Sequence, residues 1–162
     1  MAQVDYFLKM DGIKGESNDA KHKEEIELES WSWGVTQSGT SAKGSGSGAG
    51  KAVAQDLHFI KKHDQASPVL FASCATGKHF PNAVLTARKA GGEQQEYLTI
   101  KMSDLLVSSY QVGGSQGGDV VPTDQVSLNF SKIEFIYKPQ KPDGTLGADV
   151  KQGYDFSKNV KL

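Results

Sequence analysis

Apolar residues in this chain recur mainly at every second position, the period of a β-strand that buries one face. Val4, Tyr6, Leu8 and Met10 share one face of a first strand, which Asp11-Gly12 ends as a turn. The polar stretch from Ile13 to Lys23 reads as a loop. Glu24 to Trp33 reads as a second strand whose phase slips partway. Ile26 and Leu28 are apolar on one face, and Trp31 and Trp33 are apolar on the other. A one-residue slip predicts a bulge, or a strand that passes from one packing environment to another. The same slip separates Val126, Leu128 and Phe130 from Ile133, Phe135 and Tyr137 in a long strand over 126–138.

Between these lie a third strand, Val53 to Ile60, and one helix signal. Ser67 is suited to cap that helix, Pro68 to its first turn and Gly77 to the position after its end. Leu70, Phe71 and Cys74 share its apolar face at helical spacing. Phe80 to Lys89 is a strand, Ala90-Gly91-Gly92-Glu93 a hairpin turn, and Tyr97 to Met102 the returning strand. Leu105 to Val112 follows, then a flexible loop, Gly113 to Gly118, and a last short strand near Gly153 to Phe156. The total is about eight strands and one helix, joined without helical crossovers, so the sheet is expected to be antiparallel. The fold class expected is mainly β: a barrel or two-sheet sandwich with a short helix outside. The two slipped strands favour the barrel.

The stretch from Gly34 to Lys51 breaks the pattern. Two tryptophans lead into a tract of glycine, serine and threonine in which only Val35 buries much area. A loop of this length inside a compact domain is usually functional or disordered. Its end, Gly44 to Lys51, invites a phosphate-loop reading that the residues reject. Ser45 stands where the first glycine is required, Ala52 stands where the Mg²⁺-binding hydroxyl is required, and a strand follows in place of a helix. The relaxed dinucleotide pattern at Gly44, Gly46 and Ala49 fails on the same missing helix.

At 162 residues, one domain spanning the chain is expected, large enough to build a core without staples. A formal net charge of −1 speaks against nucleic-acid binding. Cys74 is the single cysteine, so no intrachain disulfide forms. No apolar run reaches the ~20 residues of a membrane span, and the N-terminus lacks the pattern of a secretory signal. The expectation is a protein that folds in the cytoplasm and, if exported, leaves by another route.

Candidate chemistry is sparse. His22, His58, His63 and His79 lack the paired spacing of a zinc site, and Cys74 reads as a small core residue. His58 is expected to face solvent or an interface. Glu24, Glu25, Glu27 and Glu29 read as a solvated strand face, with a carboxylate pair for glycoside hydrolysis as the enzymatic alternative. Trp31 and Trp33 could stack a ligand, but packing is the favoured reading. Ser30 and Ser32 then face the opposite way. No catalytic residue, cofactor or metal is expected.

An ordered set of segments resembles the Hcp family, the hemolysin-coregulated proteins of the type VI secretion system. The segments are Lys14-Gly15-Glu16-Ser17, Trp31-Ser32-Trp33-Gly34, the glycine-rich loop ending at Lys51, Gln55-Asp56-Leu57, Ser67-Pro68, Gly77-Lys78-His79-Phe80-Pro81, Arg88-Lys89-Ala90-Gly91-Gly92, Val107-Ser108-Ser109, Leu128-Asn129-Phe130 and Tyr137-Lys138-Pro139-Gln140. They span nearly the whole chain. The resemblance implies a two-sheet β-barrel with one flanking helix, assembled as a hexameric ring. Such rings stack into the inner tube of a contractile sheath, tipped by a spike protein, and some effectors travel in the lumen. No enzymatic activity is implied. The toxin extension that some members carry is not expected after Leu162. An alternative use of the same ring is as a chaperone for small secreted effectors.

This reading assigns the inter-ring contact to the long loop, through Gln37, Ser38, Gly39, Thr40, Ser41, Lys43, Gly46, Gly48 and Lys51. Ser30 and Ser32 are expected on the lumen or cargo face. Gly114, Ser115 and Gln116 in the second loop are expected at a further interface. The expected partners are identical subunits, stacked rings, spike, sheath and effectors, with no nucleic acid and no membrane insertion.

Overall fold

Two long strands run through the whole molecule and join its two sheets. The computed structural model describes residues 4–38, 51–89 and 94–162. In chain order the elements are β1 (Val4–Met10), β2 (Ile26–Leu28), β3 (Ser30–Ser32), β4 (Val35–Gln37), β5 (Ala52–Ala54), β6 (Leu57–Lys62), α1 (Ser67–Thr76), β7 (His79–Lys89), β8 (Glu96–Gly113), β9 (Thr123–Tyr137), β10 (Val150–Asp155) and β11 (Val160–Lys161). All their pairings are antiparallel.

One sheet has the order β11-β10-β9-β8-β7-β1-β2. The second has the order β3-β6-β9-β8, and uses the other halves of β8 and β9. β9 changes partner along its length: Thr123 to Leu128 pair with β6, and Lys132 to Tyr137 pair with β10. The change falls at Ser131 and Lys132, where the apolar phase of the sequence slips. The first slip has the same cause. Glu29 separates β2, on β1, from β3, on β6, and its N–H donates to Ile60 O at 2.8 Å. The chain itself therefore passes from one sheet to the other at Glu29.

Three expectations about elements change. The strands over 97–102 and 105–112 are one 18-residue strand, β8. Asp104, at φ 51°, and a register shift between Val107 and Ser109 bend it from one sheet to the other without ending it. The expected third strand divides. Ala52–Ala54 pair with Val35–Gln37 as a separate two-stranded arm, and only Leu57–Lys62 enter the barrel. The count rises to eleven strands among the described residues.

Leu8, Leu57, Phe59, Leu85, Ile100, Leu105 and Leu128 are wholly buried, and Leu70 of α1 joins them. Burying each such side chain contributes about 1.5–3 kcal/mol. Pro68 lies in the first turn of α1, and Gly77, at φ 67°, closes it with an N–H to Cys74 O. Ser67 does not cap it. Ala66 holds that position, its N–H bonds Asp64 Oδ1 at 2.9 Å, and Ser67 turns inward. The expected apolar face also shifts. Leu70 and Ser73 are buried, Cys74 is half-buried, and Phe71 is 60% exposed beside the Tyr110 ring. The helix is a short clasp across one end of the core.

Candidate functional site

Successive rows across the second sheet alternate between core and solvent. Trp31, Phe59, Val126 and Tyr110 form an inward row, with Phe59 and Val126 wholly buried. The next row points outward and holds Ser32, His58, Ser127 and Ser109. On the other side of the inward row lie Ser30, Ile60, Gln125 and Gln111, also facing out. Ser30 and Ser32 are both exposed, as their position opposite Trp31 requires. His58 is half-buried, and its Nδ1 lies 3.1 Å from Ser127 Oγ. At one end of this face Asp56 accepts hydrogen bonds from Ser108 Oγ at 2.6 Å and Asn129 Nδ2 at 2.9 Å. The face is thus largely polar, with the Asp56 carboxylate, the His58 imidazole and Lys62 among its hydroxyls and amides and Ile60 as an apolar member.

The arm is rooted beside this face. Trp33 lies against Phe130, Phe135 and Phe156, with ring centroids 6.0, 5.6 and 6.4 Å away, and its Nε1–H donates to Gln55 O at 2.8 Å. Gly34 O accepts the Gln55 N–H at 2.9 Å, so both ends of the arm are tied at one point. Trp33 is thus packed on the barrel, the favoured reading. Val35 and Val53 lie on opposite faces of the arm, Val35 beside Trp33, and are 50% and 60% exposed. Gln37 belongs to β4, a correction to its expected place in the loop: its backbone pairs with Ala52 of β5. Ser38 and Lys51 flank the arm and are exposed. Gly39, Thr40, Ser41, Lys43, Gly46 and Gly48 lie outside the described residues, as does the turn over 90–93. In the second loop Gly114, Ser115 and Gln116 are exposed, and Ser115 O accepts the Gly118 N–H at 3.1 Å. This loop is at the far end of β8 from the arm's root.

Beneath α1 is a cluster that the sequence reading missed. Lys61 and Asp124 have wholly buried side chains, with Nζ and Oδ2 3.0 Å apart. Lys61 also donates to Asp64 Oδ1 at 2.7 Å, Ser67 Oγ at 2.8 Å and Lys62 O at 3.1 Å. Ser67 donates to Asp124, His63 Nδ1 lies 3.0 Å from Asp124 Oδ1, and the Tyr110 hydroxyl donates to the same oxygen at 3.0 Å. Burial pushes the Asp124 carboxyl up, but the bonds from Ser67, His63 and Lys61 outweigh it and hold the group below the usual range. Burial, and then the bond to Asp124, push the Tyr110 hydroxyl up to about 12. A signal was present. Lys61 follows Leu57 and Phe59 at the inward parity, and Asp124 precedes Val126 and Leu128 at the same parity. The cluster is enclosed and mutually bonded, so it fastens the helix to the barrel.

The acidic run divides. Glu24 pairs with Lys14 at 3.8 Å on the surface, and Glu25 lies 2.9 Å from His22. Glu27 and Glu29 are exposed on the rim of an open groove with Glu16, His63 and Asp64. An acid–base pair needs one carboxyl shielded from water, and neither is. Among the described residues no three His, Cys, Asp or Glu side chains gather as a metal site. No helix there is long and apolar enough to cross a membrane.

Fold and surface together define a small antiparallel β-barrel protein with a largely polar sheet face and a two-stranded arm. A family model described as type VI secretion system effector, Hcp, matches residues 7–137. Protein hcp1 of Pseudomonas aeruginosa is 53% identical over 160 residues, covering 98% of each chain. Hcp1 from Salmonella typhimurium is 40% identical, with full coverage of both chains and a TM-score of 0.82. A structure described as a type six secretion system protein is 30% identical, covers 99% of this chain and 100% of its own, and has a TM-score of 0.92. The chain belongs to the Hcp family, the tube proteins of the type VI secretion system.

Proposed function

We propose that this chain is the subunit of a hexameric ring, and that such rings stack into the expelled inner tube. The observation that carries the reading is the arm tied at Trp33, Gly34 and Gln55. A barrel has no need of a two-stranded arm whose valines, one on each face, stay half exposed or more. A neighbouring ring that covers it supplies the reason. Gln37, Ser38 and Lys51 then belong to the inter-ring contact, together with the loop residues from Gly39 to Gly48. The outward rows with Ser30 and Ser32 face the lumen, where hydroxyls let cargo pass without strong adhesion. Gly114, Ser115 and Gln116 take a further subunit contact. The role is structural, the partners beyond identical subunits are spike, sheath and effectors, and export follows assembly in the cytoplasm.

Negative-stain images of the purified protein test the ring directly. Deleting Ser41 to Gly48 should leave the barrel folded, because shortening a loop changes its closure entropy little. It should abolish stacking. Rings absent at high concentration would overturn the reading, and normal tubes from the deletion variant would remove the arm's role. The chaperone use rests on the largely polar face: Ser32→Gln should lower effector levels while rings persist. Unchanged effector levels would show that Ser32 makes no cargo contact.

A further inference from the structure

No charged side chain lies between Asp64 and Lys78, a span that includes the whole of α1. On the outside of that helix Pro68, Val69, Phe71, Ala72 and Ala75 are exposed, Phe71 at 60%. A helix with one side in water normally carries charge there, and one without it is normally covered. A second apolar surface is concave. Between the arm and β10 runs a groove of about 270 Å³, lined mainly by Val35 and Ala52 of the arm, Tyr154 and Phe156 at the end of β10, and Trp33 and Phe135. We infer that the outer face of α1 seats in the arm-root groove of a neighbouring copy, and that this contact closes the ring. The inference rests on the ring assembly proposed above.

Position, shape and charge point to a second copy as the occupant. Phe71 lies beside Tyr110, which pairs with Val126 near the start of β9. The groove is lined by Phe135 near the end of β9, roughly 30 Å of strand away. The helix therefore cannot fill the groove of its own chain. A closed ring of identical subunits needs two different patches on each, and here one is convex and the other concave. Both are uncharged at the centre, as the centre of a protein contact is. Their surroundings differ in sign. Beside the start of α1, Glu16 accepts the Gln65 N–H at 3.0 Å, and Glu27 and Glu29 lie on the same rim with Lys62 as its one lysine. Beside the aromatic groove Lys158 and Lys161 are exposed, and Lys161 is level with Tyr154 in the β10–β11 ladder. Seating α1 in the groove brings an acidic rim to a basic one, which sets the orientation of the pair.

The test uses the full chain carrying Phe71→p-benzoylphenylalanine, a photo-crosslinking aromatic, with rings checked by negative-stain images of the same samples. Irradiated rings should give chains joined to one another on a denaturing gel. Mass spectrometry should place the attachment in the tryptic peptide of residues 152–158, or in that of residues 24–43, which carries Trp33 and Val35. Phe71→Glu should reduce the assembly in light scattering to the single chain of 17.4 kDa, with a urea midpoint close to wild type because the side chain is exposed. Val35→Glu, in the other half of the contact, should do the same. The crosslink decides alone where either glutamate variant fails to fold. Rings from a folded Phe71→Glu chain, or attachment only outside the groove, would overturn the inference and leave the ring assembly intact. Wild-type protein that stays a single chain at high concentration would overturn both.

Discussion

Lys61 Nζ lies 3.0 Å from Asp124 Oδ2, and neither side chain is exposed to solvent. The pair links β6 to β9 inside the barrel, and through Ser67 it links both to the first turn of α1. A buried ion pair adds little over a well-packed apolar pair, but breaking one strands a charge. Lys61→Met should therefore destabilise the protein by about 3–5 kcal/mol, read as a lower denaturation midpoint in urea. The double variant Lys61→Met with Asp124→Leu should recover part of the loss. Equal stability of the single variant and wild type would show that Asp124 is held by Ser67, His63 and Tyr110 without the lysine.

Acid should weaken the protein at a second ion pair. Arg88 donates to Asp19, and this bond, ahead of smaller contributions, holds the Asp19 carboxyl down to about 2 against an ordinary 3.8. The guanidinium also lies 4.8 Å from the Phe7 ring and bonds Asp5. A carboxyl depressed in the folded state favours folding above its ordinary value, and the gain disappears as pH falls through the folded value. Wild type should exceed Asp19→Asn in thermal stability at neutral pH, and the gap should close between about pH 4 and pH 2. A gap constant over that window would assign the loss to packing alone.

The loop before β2 allows a steric prediction. A Cβ on Gly15 would sit 2.3 Å from Glu25 O and 2.7 Å from Ile26 Cα, both backbone atoms that cannot swing aside. The Gly15 N–H also bonds Glu24 O at 2.8 Å, which fixes the approach. Gly15→Ala should cost about 1–3 kcal/mol in denaturant titrations, through overpacking and displacement of β2. Gly12→Ala meets open space, but it lies at φ 88°, so its smaller loss should come from backbone strain alone.

Periodicity carried the architecture far because strand boundaries follow burial. The bounds of β1 were legible, though Phe7 is buried on the face read as outward and Val4 is exposed, and the slips at Glu29 and at Ser131 were readable as transfers between sheets. The continuity of β8 was not, because Ser103 and Asp104 look like a break, and only the bend between sheets makes them the interior of one strand. The arm was hidden because a strand of three residues has almost no period. Ser30 and Ser32 could be placed by alternation from Trp31. The buried cluster escaped because a lysine and an aspartate read as surface residues until the fold brings them together across 63 positions. Lys61 and Asp124 had the inward parity, and residue type argued against it.

Trp33 links the fold to its use. Its indole packs on Phe130, Phe135 and Phe156, and its N–H holds Gln55 O, which brings the arm's outgoing and returning ends together. Truncation to alanine should cost roughly 2–3 kcal/mol, below the range for wholly buried aromatics because one edge of the ring is open. Enough stability should remain for the barrel to fold, since the indole lies outside the β8–β9 and β7–β8 ladders. The direction of the arm should be lost, and stacking with it. Trp33→Phe retains much of the packing and drops only the donor, so it should fall between the two. Tube length in negative-stain images, set against ring count, separates these outcomes. Tubes of wild-type length from Trp33→Ala would show that the arm is aimed by the β4–β5 ladder alone.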